Sequence, residues 1–422
     1  MSKENKHLSR LVMLKYNFLL YLISPFILIK LIFYSLKNFN SFSYISNKLF
    51  GQRLTKNYSL WLHAASIGEM KIAIKVSKHL LEKGYKDILI TSNTSSSKFI
   101  FKDSNLNGVD HYYLPLDFFF ATKKFVKSVS ADLLIIIETE IWPNLYSLCK
   151  KNKTNIITIN GRFNPPKGLL GLMSKRLYMG TLEKINHIYC KSEKDVSAFK
   201  DYIDESKISL TGNIKHSLVS DDVSSERIVD KKYVLLASSH HREEIIVIKE
   251  WLKLKSNKYL LVIAPRHPER LGDILSDIPL SGVNIAIRSK AEKIRGSTQI
   301  YIADTLGEMN NLIKYSEFTI FGGSFVDVGG HSFMEAAAHS KAIIVGPYMY
   351  NFVEETEEFL KNNAIIMCQK PEMLKNIFEK LFRSKSKRII FEKNAKLLLD
   401  AKASIIHEYI SNIEKHINHK PT

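Results

Sequence analysis

From about residue 59 onward, short apolar runs alternate with longer amphipathic stretches along the chain. The run "SLWLHAA" (59–65) precedes "GEMKIAIKVSKHLLEKG", in which Ile72, Val76 and Leu80 fall on one helical face. Later runs, such as residues 133–137, are continuously apolar, as strands buried on both faces of a sheet are. The pattern therefore predicts a parallel sheet built from strand–helix repeats.

The periodicity lapses over "HSLVSDDVSSERIVDK" (216–231), which predicts a linker, and a second strand–helix series follows it. We therefore expect an α/β protein with two Rossmann-like, doubly wound domains at residues 57–215 and 232–390, and a closing helix over 391–422. Ligands of such domains bind beyond the carboxyl ends of the strands. We accordingly expect the two domains to face a ligand cleft.

The first 56 residues have the character of a membrane anchor with a basic juxtamembrane part. Residues 11–36 are almost wholly apolar, but Pro25 lies among them and only fourteen residues separate Lys15 from Lys30. A clean span needs about 20 apolar residues. We expect a monotopic helix or helical hairpin on the cytoplasmic face of a membrane, with a single span as the alternative. The cations expected near anionic headgroups are Lys37, Lys48, Arg53 and Lys56.

Composition adds a strong basic excess to this picture. The 422 residues contain 61 Lys+Arg against 42 Asp+Glu, a formal net charge of +19. Such an excess indicates a polyanionic neighbour, although a solvated basic surface is an alternative. The chain contains no RNA-binding motif, no Walker loop, no H-E-x-x-H and no D-x-D run. Nucleic acid is therefore not an expected partner, and metal-free transfer from a nucleotide donor stays open.

Three segments of the second domain could bind a nucleotide. In "GGSFVDVGGHSFMEAAA" (322–338), glycines let backbone N–H groups approach an anion and Glu335 could accept hydrogen bonds from ribose hydroxyls; a plain glycine turn is an equal alternative. In "VIAPRHPER" (262–270), Arg266 and His267 follow a strand directly and suit a phosphate, or else form a salt-bridged loop. In "ADTLGEMNNL" (303–312), residues 307–309 open a helix, and an ordinary N-terminal turn explains them better when they are taken alone.

The first domain offers carboxylates and a lysine. Glu69 follows the turn after "WLHAA" and suits a general base, while a helix-capping role is the usual alternative. Glu138 follows five aliphatic residues, where a charge needs a partner or a function. We expect Glu138 and Glu140 to point to opposite faces, so that one of them is functional and the other structural. Lys215 stands just before the linker, where it could neutralise a leaving group or simply be solvated.

Nine segments in order resemble the 3-deoxy-D-manno-octulosonic acid (Kdo) transferases, which add Kdo to a lipid A precursor. These segments are "WLHAASIGE", "YLPLD", "IETEIWPNL", "NGRF", "TGNIK", "PRHPER", "DTLGEM", "GGSFVDVGGHSFMEAAA" and "GPYMYNF". The resemblance implies a GT-B glycosyltransferase with an acceptor domain, a donor domain, CMP-Kdo as donor, lipid IVA as acceptor, and no metal or other cofactor. It also implies an inverting displacement in lipopolysaccharide biosynthesis.

The resemblance assigns roles to residues by motif position. Glu69 matches the general base, and Glu138 and Lys215 match transition-state stabilisers. The positions that match CMP-binding segments, with His267 included as a neighbour, are Pro265, Arg266, His267, Gly307, Glu308, Met309, Ser332, Phe333, Met334 and Glu335. The family usually has Asn-Pro-Leu-Glu at 332–335, so the helix entry differs here. The alternatives are another GT-B nucleotide-sugar transferase or epimerase, and a basic membrane-associated binding protein.

Overall fold

The computed structural model describes residues 3–37, 42–166, 168–219, 226–254, 258–278 and 282–417. The chain divides into two compact units. Unit 1 comprises Met1–Leu218 with Ser404–Thr422, and unit 2 comprises Val219–Ala403. The boundary lies within the predicted linker, of which residues 220–225 are outside the described ranges.

Unit 1 contains one parallel seven-stranded sheet within the described residues. Its strands are β1 (Leu60–Ala64), β2 (Ile88–Ser92), β3 (Val109–Tyr113), β4 (Leu133–Ile137), β5 (Asn155–Gly161), β6 (His187–Cys190) and β7 (Ile208–Leu210). Its helices are α1 (Lys3–Leu22), α2 (Ser24–Lys37), α3 (Phe42–Phe50), α4 (Ile67–Glu82), α5 (Ser95–Asp103), α6 (Phe119–Val129), α7 (Pro143–Lys151), α8 (Gly168–Leu182), α9 (Glu193–Lys200) and α17 (Ile405–Glu414).

The strand order β3-β2-β1-β4-β5-β6-β7 confirms the doubly wound prediction for this unit. The continuously apolar β4 feeds two cores, because Leu133, Ile135 and Ile137 pack on one face and Leu134 and Ile136 on the other. The direction in which successive strands are added to the sheet reverses between the neighbouring strands β1 and β4. A crevice beyond their carboxyl ends is therefore the expected binding position.

Unit 2 repeats the architecture with a second parallel seven-stranded sheet among its described residues. Its strands are β8 (Tyr233–Ser239), β9 (Leu260–Pro265), β10 (Ile285–Ile287), β11 (Ile300–Ile302), β12 (Phe318–Phe321), β13 (Ala342–Val345) and β14 (Ile366–Met367). Its helices are α10 (Glu243–Leu252), α11 (Leu271–Asp277), α12 (Met309–Tyr315), α13 (Met334–Ala338), α14 (Val353–Lys361), α15 (Leu374–Arg383) and α16 (Lys385–Ala403). The order β10-β11-β9-β8-β12-β13-β14 reverses between β8 and β12.

The end of the chain differs from the single closing helix predicted over 391–422. Two helices are present, α16 and α17, and they break at Ser404. Ala395 and Leu399 of α16 pack into a core of unit 2, whereas Ile406 and Ile410 of α17 pack into a core of unit 1. The two helices thus bury their apolar side chains in cores of different units. Residues 418–422 lie outside the described ranges.

The N-terminal helices dock on unit 1 by polar contacts. Tyr16 donates a hydrogen bond to Asp117 at 2.9 Å, and the amide groups of Asn17 and Asn144 bond to each other. Within the described residues, no single helix is both long and apolar enough to cross a bilayer; Leu11–Leu22 and Ser24–Leu36 pass that test only as a pair, bent by 53° at their junction.

The cations expected near headgroups differ in their exposure to solvent and in their partners. The prediction for Lys48 is wrong: its ammonium is buried and donates to Asn93 Oδ1 at 3.0 Å and to the Leu114 carbonyl at 2.8 Å. Burial lowers the pKa of Lys48 to about 7. Lys56 lies within 3.1 Å of Asp87, while Arg53 is exposed. Lys48 thus belongs to the interior of unit 1.

Candidate active site

A pocket of about 560 Å³ opens beyond the carboxyl ends of β1, β4 and β5, next to the point where strand order reverses. Its lining includes three carboxylates, one guanidinium and two aromatic side chains: Glu69, Glu138, Glu140, Arg162, Trp142 and Tyr178. Each of the first four follows one of those three strands. The topology therefore collects charged side chains from three separate chain segments.

Glu69 lies in the first turn of α4 and is held by its own helix start. The N-cap residue Ser66 accepts from the Glu69 N–H at 3.3 Å and donates its hydroxyl to Glu69 Oε1 at 2.9 Å. The Ala65 N–H donates to Oε2 at 2.6 Å. Only 8% of the residue is exposed. Ser66 and Glu69 thus form a variant of the capping box, in which the carboxylate reaches the residue before the cap.

Two opposing effects act on this carboxyl group. Burial raises the pKa of Glu69, the hydrogen bonds from Ala65 and Ser66 lower it, and the charge of Glu138 raises it again. The net shift is upward, so desolvation outweighs the helix start. A buried carboxylate with a raised pKa that lines an open pocket can accept a proton from a bound hydroxyl.

Glu138 and Lys215 form an ion pair. Lys215 Nζ lies 2.6 Å from Glu138 Oε1, and the lysine side chain is 46% exposed against 17% for the glutamate. The backbone of Glu138 has a left-handed φ of 59°. Asn160, at the end of β5, accepts from the Ile214 N–H at 3.1 Å and so fixes the turn that carries Lys215. The structure brings together both residues that were predicted to stabilise a transition state.

The expected separation of Glu138 from Glu140 is wrong, since both carboxylates line the pocket beside Glu69. Side chains of successive residues in a strand alternate between its faces, so residues two apart share a face, as Leu133 and Ile135 do. In addition, β4 ends at Ile137, before the left-handed Glu138. Burial, followed by the charge of Glu69, raises the pKa of Glu140 to about 7. Glu140 is therefore a carboxylate whose charge changes near neutral pH.

Sequence reasoning assigned no role to Arg162, Trp142 or Tyr178. Arg162 directly follows β5 and is exposed in the pocket, so its position after a strand was an available signal. Tyr178 lies on α8, far along the chain from the strand ends, and no local pattern marked it.

In unit 2 the glycine-rich segment differs from the expectation that its N–H groups face an anion. The N–H groups of Gly323, Ser324 and Phe325 all donate to the carboxylate of Glu243, at 2.7, 3.1 and 2.9 Å. Gly322 is needed for packing, because a Cβ there would lie 2.5 Å from the Ser238 carbonyl oxygen. The first half of this loop is therefore closed by a side chain of the protein itself.

The other predicted donor segments lie at strand ends of unit 2. Pro265 ends β9, and Arg266 and His267 follow it with exposed side chains. His267 Nδ1 lies 3.2 Å from Glu269. Within the described ranges, Arg266 has no ion-pair partner. Its guanidinium is thus available to an anion.

Residues 307–309 precede and open α12. Gly307 has a φ of 85° and open space where a side chain would stand. Arg288 lies 2.8 Å from Glu308, and its hydrogen bond lowers the pKa of that glutamate. Glu308 is therefore already engaged by a cation that the sequence did not single out.

Only some residues of the segment 332–335 are exposed to solvent. Phe333 and Met334 are 0% and 5% exposed and pack in the core of unit 2. The Ser332 hydroxyl accepts from the Met334 N–H at 3.5 Å, and Glu335 is exposed in the first turn of α13. Ser332 and Glu335 thus have solvent-accessible side chains, and the other two residues offer backbone groups.

Solved structures with the same architecture include a glycosyltransferase and a putative nucleotide-sugar epimerase. A glycosyltransferase from Rickettsia africae superposes with a TM-score of 0.60 at 15% identity, covering 86% of this chain and 100% of that one. A putative UDP-N-acetylglucosamine 2-epimerase from Listeria monocytogenes gives a TM-score of 0.55 at 11% identity, covering 87% and 99%. These likenesses establish the fold.

Sequence comparison is more specific. The family described as "3-Deoxy-D-manno-octulosonic-acid transferase (kdotransferase)" matches residues 42–218. The 3-deoxy-D-manno-octulosonic acid transferase of Rickettsia conorii is 30% identical over 369 residues, 84% of this chain and 79% of that protein. That of Haemophilus influenzae is 29% identical over 350 residues, 78% and 80% of the two chains. With the GT-B fold, these matches show that the chain belongs to the 3-deoxy-D-manno-octulosonic acid transferase family of glycosyltransferases.

Proposed function

We propose that this glycosyltransferase moves Kdo from CMP-Kdo to a sugar hydroxyl of lipid IVA, with inversion and without a metal. The observation that carries the proposal is Glu69, a buried carboxylate with a raised pKa in the pocket at the switch point of unit 1. A general base of this kind removes the hydroxyl proton as the oxygen attacks the anomeric carbon. Attack opposite the departing phosphate inverts the anomeric centre.

The remaining pocket residues support binding of a phosphorylated sugar acceptor. Glu138 and Glu140 offer oxygens that accept hydrogen bonds from sugar hydroxyls, and Arg162 offers a guanidinium suited to a phosphate. Trp142 and Tyr178 supply aromatic surface in the same pocket. In the proposed reaction Lys215 provides positive charge that stabilises the transition state, and its ion pair with Glu138 holds it in position.

On the donor side, Arg266 is proposed to meet the phosphate of CMP and Glu335 the ribose. Arg266 is exposed without an ion-pair partner in the described part of the chain, and Glu335 is exposed at a helix start. The N–H groups of residues 323–325 are excluded from this role because Glu243 already accepts from them. Backbone contacts to the nucleotide are therefore proposed at Gly307 and Met309 instead.

We also propose that the chain is attached to the cytoplasmic face of the inner membrane, where a lipid acceptor resides. Helices α1 and α2 present large apolar side chains to solvent, with Phe18, Phe26 and Phe33 at 69%, 74% and 69% exposure. The opposite side of α1 is bonded to unit 1 through Tyr16 and Asn17. A helix held in this way can lie in the membrane interface without leaving its domain.

The direct test incubates the purified full-length protein with CMP-Kdo and tetra-acylated lipid A precursor and reads product mass. We expect Glu69→Gln to abolish transfer while CMP affinity stays near that of the wild type. Glu82→Gln is the matched control, since Glu82 is an exposed glutamate at the other end of the same helix. Substantial turnover by the Glu69 variant would refute the base assignment. A larger thermal shift with UDP than with CMP would refute the donor.

A further inference from the structure

A pair of histidines lies at the switch point of unit 2, beside the glycine-rich loop. His240 directly follows β8, and His331 lies between the glycine-rich loop and α13. Their Nε2 atoms are 2.8 Å apart, the ring centroids are 5.0 Å apart, and the ring planes differ by 13°. Gly323 packs against both rings. Neither histidine has a role in the assignments made above.

The short N···N distance fixes the number of protons in the pair. Two protonated Nε2 atoms would repel, and two unprotonated ones would bring lone pairs together, so one proton lies between the rings. In the neutral pair, one outer Nδ1 is then a hydrogen-bond donor and the other is an acceptor. Among the described residues, neither Nδ1 atom has a hydrogen-bond partner.

One added proton turns this pair into a cation with two outward N–H donors. Two donors and a positive charge match the oxygens of a phosphate, whereas the neutral pair matches it poorly. We infer that the His240–His331 pair binds the phosphate of the nucleotide and takes up one proton as it does so; this inference rests on the proposed function. The pair is thus a binding element for a phosphate ester anion.

The charges around the pair favour an anion. Arg266 follows the neighbouring strand β9, and the His267 ring centroid lies 6.0 Å from that of His240. Burial lowers the pKa of His331 to about 4, with His240, Arg266 and His267 adding to the effect. Burial and these cations, with Arg270, also lower the pKa of His240, while Glu244 opposes them. An entering phosphate offsets this repulsion, so its binding raises the proton affinity of the pair.

The two carboxylates nearby already accept hydrogen bonds from other partners. Glu244 accepts from the Ser239 hydroxyl at 2.8 Å and is paired with Arg270 at 3.3 Å. Glu243 accepts from the three loop N–H groups and from the His240 N–H at 3.0 Å. Both carboxylates are therefore engaged by these donors, and only Glu244 favours protonation of His240, against the neighbouring cations.

Calorimetric titration of the full-length protein with CMP measures proton uptake. It is run at one pH near 6.5 in two buffers of different ionisation enthalpy. The phosphate of CMP titrates near pH 6 itself, so the readout is the difference between wild type and a variant. We expect wild type to take up as much as one proton more per CMP than His331→Asn, and to bind CMP roughly tenfold more tightly. Cytidine, which lacks the phosphate, should show no such difference.

His416→Asn is the matched control, because His416 is a half-buried imidazole of unit 1 whose pKa is also lowered by burial. His240→Asn serves as the second variant, and imidazole ¹⁵N spectra of the wild type with and without CMP report the added proton directly. If the wild type binds CMP without extra proton uptake and with unchanged imidazole spectra, this inference is wrong and the proposed donor is unaffected. Failure of wild type to bind CMP would refute the proposed donor and, with it, this inference.

Discussion

The carboxylate of Glu243 holds the glycine-rich loop of unit 2, and Glu243→Gln tests how much that loop depends on it. Glu243 is 0% exposed, and each of its oxygens accepts two backbone N–H groups: Oε2 from His240 and Gly323, Oε1 from Ser324 and Phe325. Glutamine keeps the shape of the side chain but replaces one acceptor oxygen with an NH₂ group. Two buried N–H donors then face another donor.

The expected cost follows from those two donors. A buried donor left without an acceptor destabilises a protein by about 1–3 kcal/mol. Two of them predict a loss of about 2–6 kcal/mol in the free energy of unfolding of unit 2. For a domain of this size, each kcal/mol lowers the melting temperature by roughly 2–4 °C. We therefore expect the transition of unit 2 to fall by roughly 4–24 °C.

Scanning calorimetry measures the overall effect, and amide hydrogen exchange locates it. Exchange should accelerate at Gly323, Ser324 and Phe325 in the variant. Glu357→Gln is the matched control, since Glu357 is an exposed glutamate of the same unit. A Glu243→Gln protein that melts with wild type and keeps these amides protected would show that the carboxylate does not organise the loop.

Lys215→Met should lower kcat by roughly 10²–10³ with little change in CMP affinity, measured by single-turnover transfer assays. Glu69→Gln should lower the pKa of Glu140, because the charge of Glu69 adds to the burial that raises it; an unchanged NMR titration of the Glu140 carboxyl carbon would contradict the coupling. The pKa of buried Lys48 is about 7, so wild-type stability should rise with pH between about 7 and 10.5, where the unfolded lysine keeps the proton that the folded one has lost. Lys48→Met should remove that rise in urea titrations. Replacing Phe18, Phe26 and Phe33 by Ser should release the protein from anionic vesicles, whereas Phe99→Ser, at a comparably exposed site (66%), should not.

Much of the fold could be predicted from the sequence, because strand and helix patterns are local. Continuous apolar runs such as 133–137 identified strands that both cores of unit 1 bury. Residues directly after such runs must leave the sheet at its carboxyl edge, which is why Glu138 and Arg266 were found as candidates without any structure. The helix-capping role that the sequence analysis gave as the alternative for Glu69 likewise corresponds to a helix start that the structure contains.

Partners of buried polar groups were decided only by tertiary packing. Glu243 meets Gly323 across 80 residues, and His240 meets His331 across 91, distances over which no sequence period operates. Nothing in the sequence around Lys48 distinguishes it from a surface lysine, yet packing buries it against the Leu114 carbonyl. A buried donor or charge needs a partner, and the fold decides which one it meets. The local sequence does not determine which strand ends lie next to each other.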